Sequence, residues 1–192
     1  GLSVVLIEKR SVGGVCLHEG CIPTKSYYAI AERLKLQKTN DRFGVISQFL
    51  GFDFQKAKQY KEEVVEKLHQ GLQFSLKKTN ITYVQGEAKF VDDHTVAVDN
   101  MNYQAKSIVI ATGSHPVMIP GFDYVMTSTD LLATNEVPKN MVVIGGGIIG
   151  VELATIFAYF GSQVVIVEMM DTILPFADKE VAKRLMSYLK AQ

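Results

Sequence analysis

Apolar residues recur along this chain with changing period, and the changes mark its elements. The opening "GLSVVLIEKR" holds a continuous apolar run from Val4 to Ile7, which predicts a strand in a sheet buried on both faces. From Pro23, "PTKSYYAIAERLKLQK" places Tyr27, Ile30, Ala31 and Leu34 on one helical face. A longer amphipathic helix is expected from about Phe54 to Lys78, with Val64, Val65, Leu68, Leu72 and Leu76 as its stripe and lysines and glutamates opposite. The period then falls to two in "ITYVQGEAKFV", "HTVAVDN" and "QAKSIVIATGS", which read as a small antiparallel meander leading back into a buried strand. "SHPVMIPGFDYVMTSTDLLATNEVPKN" carries three of the five prolines and little periodicity, as a connection would. Beyond it a strand-turn-helix-strand pattern begins, in "MVVIGG", "GVELATIFAYFG" and "SQVVIVEM". The class is α/β.

Composition narrows the possibilities. The 192 residues are 47% hydrophobic, enough for one large domain or two small ones. Lysine plus arginine balances aspartate plus glutamate at 20 each, which argues against a nucleic-acid partner. No apolar run approaches the ~18–20 residues of a membrane-spanning helix, and the start lacks the order of a signal peptide. A cytosol-like compartment is expected, where a persistent structural disulfide would be unusual.

"VVIGGGIIGVELA" supplies Gly145-x-Gly147-x-x-Gly150 between an expected strand and an expected helix. The first glycine suits the tight turn, the second lets backbone approach a pyrophosphate, and the third lets helix and strand pack closely. The next strand leads to Glu168, 21 residues beyond Gly147, where a carboxylate can accept from ribose hydroxyls and repel a 2′-phosphate. NAD is therefore favoured over NADP. Glu8 ends the first strand in the same way, though no glycine fingerprint precedes it.

Both cysteines, Cys16 and Cys21, lie within "GGVCLHEGCIPTK". A staple, half of a metal site and a redox pair compete as explanations. Within a regular helix the five-residue step would rise about 7.5 Å, beyond the roughly 7 Å limit for a bridge. Glycines 13, 14 and 20 allow a distorted turn before a helix that Pro23 helps to begin. As a staple, so short a loop contributes only about 2 kcal/mol. The histidines are scattered and no second cysteine pair exists, so a metal site is not expected. A redox role fits best, because Lys25, one helical turn after Cys21, can favour a thiolate there.

These segments together resemble the class I pyridine nucleotide-disulfide oxidoreductases, and the resemblance covers essentially the whole chain. "GGVCLHEGCIPTK" is similar to the family's redox-active segment, "VVLIEK" to its FAD-ribose strand, "VQGEAKF" and "IVIATGS" to later FAD-side segments, and "VVIGGGIIGVELA" with "VVIVEMMDTILPFADKEV" to the start of its NAD-binding domain. The resemblance implies two Rossmann-like units, both incomplete, with a small β meander. Residues 1–116 would form an FAD-binding domain lacking its first strand and glycine loop, 117–139 a connection, and 140–192 the first part of an NAD-binding domain. It implies Cys21 as the flavin-proximal thiol, Cys16 as the thiol that meets the substrate, and Lys25 near the flavin, paired with Glu152. Cofactor contacts would come from Glu8, Gly14, Lys25, Gly86, Ala88, Ala111, Thr112 and Gly113, and from Gly145, Gly147, Ile148, Gly150 and Glu168. Ile148 and Glu168 resemble the NAD-linked, dihydrolipoamide-oxidising branch, in which electrons pass from a dithiol to the disulfide, to FAD and to NAD⁺. Another disulfide or mercuric-ion reductase of the family, or a non-catalytic nucleotide-binding fragment, are the alternatives. The implied parent is a cytoplasmic homodimer (mitochondrial matrix in a eukaryote), with a 2-oxo acid dehydrogenase complex as a partner the resemblance allows. The dimerisation domain and its His-Glu pair are not among these residues, so the 192 residues alone are expected to be inactive, poorly soluble and nearly free of FAD.

Overall fold

The structure is a computed structural model that describes residues 1–38 and 40–190; the last two residues of the expected unit 140–192 lie outside them. In chain order the elements are β1 (Val4–Glu8), α1 (Gly14–Glu19), α2 (Cys21–Gln37), a 3-10 turn (Asn40–Phe43), α3 (Phe54–Lys77), β2 (Ile81–Gln85), β3 (Ala88–Asp92), β4 (Thr95–Val98), β5 (Met101–Gln104), α4 (Ser128–Ala133), β6 (Asn140–Ile144), α5 (Ile148–Phe160), β7 (Gln163–Val167) and α6 (Lys179–Lys190). They form an α/β arrangement with three small sheets: parallel β1-β2, antiparallel β3-β4-β5, and parallel β6-β7. No helix among the described residues is long and apolar enough to cross a membrane.

The core is built by helices. Tyr27 and Ala31 of α2 meet Phe54 and Ala57 of α3, Leu132 of α4, and Leu153, Ile156, Phe157 and Phe160 of α5. Tyr27 sits edge-on to Phe157 and Phe160, and Phe52 stacks on Phe160 with ring centroids 4.9 Å apart. Such aromatic pairs contribute about 0.5–1.5 kcal/mol each beyond the area they bury. Burial also pushes the Tyr27 hydroxyl up to about 12, with the nearby Glu62 charge adding to the shift. The core therefore joins the segment carrying the cysteines to the segment carrying the glycine turn.

Several expectations are corrected. β1 is not buried on both faces: Val4 and Val5 are 41% and 42% exposed. Its sheet holds only two strands among the described residues, and Leu6 is exposed as well. The "ITYVQGEAKFV" segment is two strands, not one. Gly86 divides them, β2 pairing in parallel with β1 and β3 entering the meander. "IVIATGS" forms no strand: the apolar pattern is present, but no described segment offers it a ladder, and Val109 is 86% exposed. The helix expected from Pro23 begins at Cys21, and Cys16 lies in a helix of its own rather than in a turn. The α3 stripe is only partly used, since α2 covers the N-terminal half while Leu68 and Leu72 stay exposed. The connection 117–139 contains α4, started by a capping box in which Thr127 and Asp130 satisfy each other's backbone N–H groups.

The tip of α4 is stitched to α3. Gln55, Lys58 and Lys61, three residues apart on one face, reach the Asn135 carbonyl, the Ala133 carbonyl (3.2 Å) and the Leu132 carbonyl (3.2 Å). Cations at a helix C-terminus meet its unsatisfied carbonyls and the negative end of its dipole. Burial of Lys61 lowers its pKa from the ordinary lysine value, only partly offset by Glu62.

Candidate redox and nucleotide site

Cys16 and Cys21 are joined in a disulfide with their Cα atoms 4.6 Å apart. The approach is possible because α1 ends at Glu19 and Gly20 turns the chain before α2 starts, with φ −138° and ψ −105°. A Cβ on Gly20 would lie 3.1 Å from the Val15 carbonyl oxygen, so the tight reversal leaves little room for a side chain. The Gly20 carbonyl then accepts from the Thr24 N–H at 3.1 Å and the Thr24 hydroxyl at 2.6 Å, which secures the first turn of α2. Both half-cystines are exposed, while Leu17, Pro23, Thr24, Ser26 and Tyr27 hold the helices from below.

Lys25 stands one turn along α2 from Cys21, and its Nζ donates to Glu152 of α5 in an ion pair. The pair crosses from one helix to the other because Tyr27 on α2 and Ile156 on α5, each a short step further along, are packed in the shared core. Glu152 thus reaches α2, the helix that begins with Cys21. The Lys25 ammonium is also 5.9 Å from the centre of the Tyr28 ring.

At the start of α5 the glycines take the places their motif requires. Gly145 has φ +103°, a conformation that favours glycine, and its N–H donates to the Val167 carbonyl at 2.8 Å. A Cβ on Gly150 would meet the Gly145 carbonyl oxygen at 2.3 Å, so the close crossing of helix and strand needs a bare Cα. A Cβ on Gly147 would meet nothing within 4 Å: its bareness serves an open space, not internal packing. Ile148, the first residue of α5, is 76% exposed beside that space. Glu168 follows β7, and its Oε2 accepts from the Gly146 N–H at 2.6 Å while Oε1 accepts from the Met170 N–H at 2.8 Å. The Met170 and then the Gly146 N–H hold its carboxyl below the usual carboxylate range.

The remaining sequence-predicted residues are less tightly gathered. Glu8 accepts from the Arg10 N–H at 2.9 Å, the same two-residue turn that Glu168 makes with Met170. Gly86 donates its N–H to the Glu8 carbonyl at 3.1 Å, but a Cβ there would strike Val98 Cγ1 at 2.3 Å, so packing under the meander is what excludes a side chain. Gly14 is the first residue of α1 with φ +62°, and Ala88 begins β3 on an exposed edge. Ala111, Thr112 and Gly113 lie in the unpaired stretch after β5; Gly113 has φ +79°, and a Cβ there would sit 3.5 Å from Val15 of α1. Sequence reasoning missed the hold of Glu168 on the glycine turn and the contact of His18 with His69. Among the described residues no group of three His, Cys, Asp or Glu side chains is arranged to hold a metal ion.

An exposed disulfide, a lysine–carboxylate pair one turn along and a Gly-x-Gly-x-x-Gly turn at the head of α5 accord with the flavoprotein disulfide oxidoreductase class. The chain belongs to the pyridine nucleotide-disulphide oxidoreductase family, whose model matches residues 1–192. It is 42% identical over 197 residues to a dihydrolipoyl dehydrogenase of Bacillus subtilis (strain 168), covering 99% of this chain and 42% of that protein. It is 42% identical over 190 residues to that of Acholeplasma laidlawii, covering 94% of this chain and 56% of the relative. Among solved structures, the HOCl-induced flavoprotein disulfide reductase RclA from Escherichia coli superposes with a TM-score of 0.83 at 34% identity, over all of this chain and 42% of that one. The chain thus spans about half the length, or less, of the relatives it matches.

Proposed function

We propose that this chain forms the redox and nucleotide-binding part of an NAD-linked flavoprotein that oxidises a small dithiol, dihydrolipoamide in the first instance. Residues 1–116 would serve FAD, 117–139 would connect, and 140–192 would begin the NAD-binding domain. The observation that carries the reading is the Cys16–Cys21 bridge at the head of α2, with Lys25 one turn behind it and tied to the helix that opens at the glycine turn. The similarity to dihydrolipoyl dehydrogenases supports the substrate class.

The residues present fit both cofactors. Gly147 leaves open backbone, and Glu168 offers a carboxylate to a ribose. Gly113 brings bare backbone beside α1, and both half-cystines are exposed. When bound, FAD supplies a two-electron acceptor for the dithiol form, and NAD⁺ a hydride acceptor. The protein's own chemistry is thiol exchange. A substrate thiolate attacks Cys16 Sγ, the Cys16–Cys21 bond breaks, and Cys21 leaves as a thiolate. The second substrate thiol gives up its proton and attacks the mixed disulfide; this closes the substrate disulfide and releases Cys16 as a thiol. Two electrons move from substrate to protein, and Lys25 favours the thiolate at Cys21 through its positive charge. Homodimer formation, and service to a 2-oxo acid dehydrogenase complex in the cytoplasm, belong to the same proposal.

The test is anaerobic reduction of the whole protein with one equivalent of dithiol. A long-wavelength absorption band between thiolate and flavin should form, survive Cys16→Ser and vanish in Cys21→Ser. Unchanged reduced spectra in both variants would overturn the thiol roles.

A further inference from the structure

Arg10 joins the turn after β1 to the cysteine loop. Its backbone is fixed at both polar groups: the N–H donates to Glu8 Oε1 at 2.9 Å, and the carbonyl accepts from Gln85 Nε2 at 3.2 Å. The guanidinium is left to cross to α1, where Nη1 donates to Glu19 Oε1 at 2.6 Å. Glu8 adds an attraction weaker than that of Glu19 on the same cation. Glu19 is the last residue of α1, three positions after Cys16 and two before Cys21. Residues three apart on a helix share a face, with Cβ atoms about 5–6 Å apart. Glu19 therefore stands on the face of α1 that carries Cys16. The chain folds back closely there, since a Cβ on Gly20 would lie 3.4 Å from the Cys16 Cα. The ion pair is open to an incoming molecule: the Arg10 side chain is 64% exposed and that of Glu19 28%. The thiol exchange proposed above uses neither group.

A lone carboxylate on that face works against the exchange. The group that attacks Cys16 is a thiolate, and an uncompensated negative charge beside the sulfur repels it. A guanidinium paired with the carboxylate cancels most of that field at the distance of an approaching substrate. The Lys25 ammonium, by contrast, is engaged by Glu152 and lies one turn beyond Cys21, the other sulfur. We propose that Arg10 is a specificity-determining residue: by cancelling Glu19 it keeps the approach to Cys16 open to anions. These are the attacking thiolate itself and dithiols whose tail ends in a carboxylate, which are then accepted beside those whose tail is uncharged. Without Arg10 the same disulfide favours uncharged reagents; without Glu19 it favours anionic ones. The inference rests on the reading of Cys16 as the substrate-facing thiol.

The experiment is a competition between iodoacetate and iodoacetamide for Cys16 in the reduced whole protein at low salt, read by mass spectrometry. Both reagents alkylate the same thiolate, so its protonation cancels in the ratio of products and the charge of the approach remains. A unit charge about 7 Å from the sulfur in water-like surroundings changes the rate of a singly charged reagent by about threefold. Arg10→Gln should lower the iodoacetate-to-iodoacetamide ratio by about two- to threefold, and Glu19→Gln should raise it by a similar factor. Salt at ~1 M should bring both toward the unmodified ratio. Arg10→Lys, which keeps the cation, should hold that ratio. Either Gln variant carries the test if the other does not fold, because loosened local structure moves both reagents together. An unchanged ratio in either Gln variant, or ratios that move in the same direction, would overturn the role of Arg10. In turnover, the kcat/KM ratio of dihydrolipoate to dihydrolipoamide should fall in Arg10→Gln in step with the alkylation ratio, and a static ratio would overturn it as well. Labelling that favours Cys21 over Cys16 would instead overturn the thiol assignment itself, and this inference with it.

Discussion

Gly147 and Gly150, three residues apart, should fail in opposite ways when each is given a methyl group. At Gly150 the added Cβ would stand 2.3 Å from the Gly145 carbonyl oxygen and 3.2 Å from Val143 Cγ1. Both neighbours belong to the β6 strand and its turn, so α5 must move outward by about 1 Å to restore an ordinary contact. Overpacking of this kind costs about 1–3 kcal/mol, which corresponds to roughly 2–12 °C in Tm for a folding unit of about 150–250 residues. At Gly147 nothing lies within 4 Å of the Cβ position, and φ −73° with ψ −179° suits alanine. Alanine is the poorer N-cap but restricts the unfolded chain, and the two effects roughly cancel. Gly147→Ala should therefore melt within about 2 °C of the unmodified protein. It should nonetheless bind NADH at least about tenfold more weakly, because the methyl group occupies the space left for the pyrophosphate. Calorimetric melting of the whole protein and NADH titration read the two effects separately. Unchanged NADH affinity in Gly147→Ala would refute the reading of that open space as the nucleotide site, and an unchanged Tm in Gly150→Ala would refute the packing argument.

Two other substitutions test charge. Glu168→Arg removes the carboxylate from the Gly146 and Met170 N–H groups and places a cation at the strand end; the NADPH-to-NADH ratio of kcat/KM should rise by about tenfold or more, and a static ratio would count against a ribose role. Lys61 has a lowered pKa in the folded state, so the unfolded chain binds more protons between that value and the ordinary ~10.4, and stability should rise with pH across the window. Lys61→Met should flatten that alkaline rise in urea unfolding of the whole protein; an identical slope would mean that Lys61 is not held buried and charged near neutral pH.

The helices and the glycine turn were legible in sequence because their signals are local. Helical spacing marked α2, α3 and α5, and the strand-turn-helix setting marked Gly145, Gly147 and Gly150. Sheet membership was not local. Val4 to Ile7 read as a doubly covered strand because an apolar run states what a strand prefers, not how many neighbours it receives. Ile108 to Ile110 carry the same preference and pair with nothing described. The split at Gly86 was hidden for a related reason, since alternation continues across it while the partner strand changes from β1 to β4. α4 and α6 could have been read: Thr127-x-x-Asp130 is a capping box, and Asp178 accepts from the Glu180 and Val181 N–H groups ahead of an amphipathic turn.

The site was legible where one residue sufficed and obscure where two distant ones must meet. Glu8 closes β1 and Glu168 follows β7, and each accepts from the N–H two residues on. That likeness was visible as sequence; the second bond of Glu168, to Gly146 across 22 positions, was not. The Lys25–Glu152 pair, which spans 127 positions, was expected only through the family resemblance, and it depends on the aromatic core beneath it. α5 begins at the glycine turn, presents Glu152 to α2 within its second turn, and buries Ile156 and Phe157 one turn later. One helix therefore fixes the distance between the glycine turn and the disulfide. Loosening its packing at Phe157 would be felt at both ends, although neither end touches that ring in sequence.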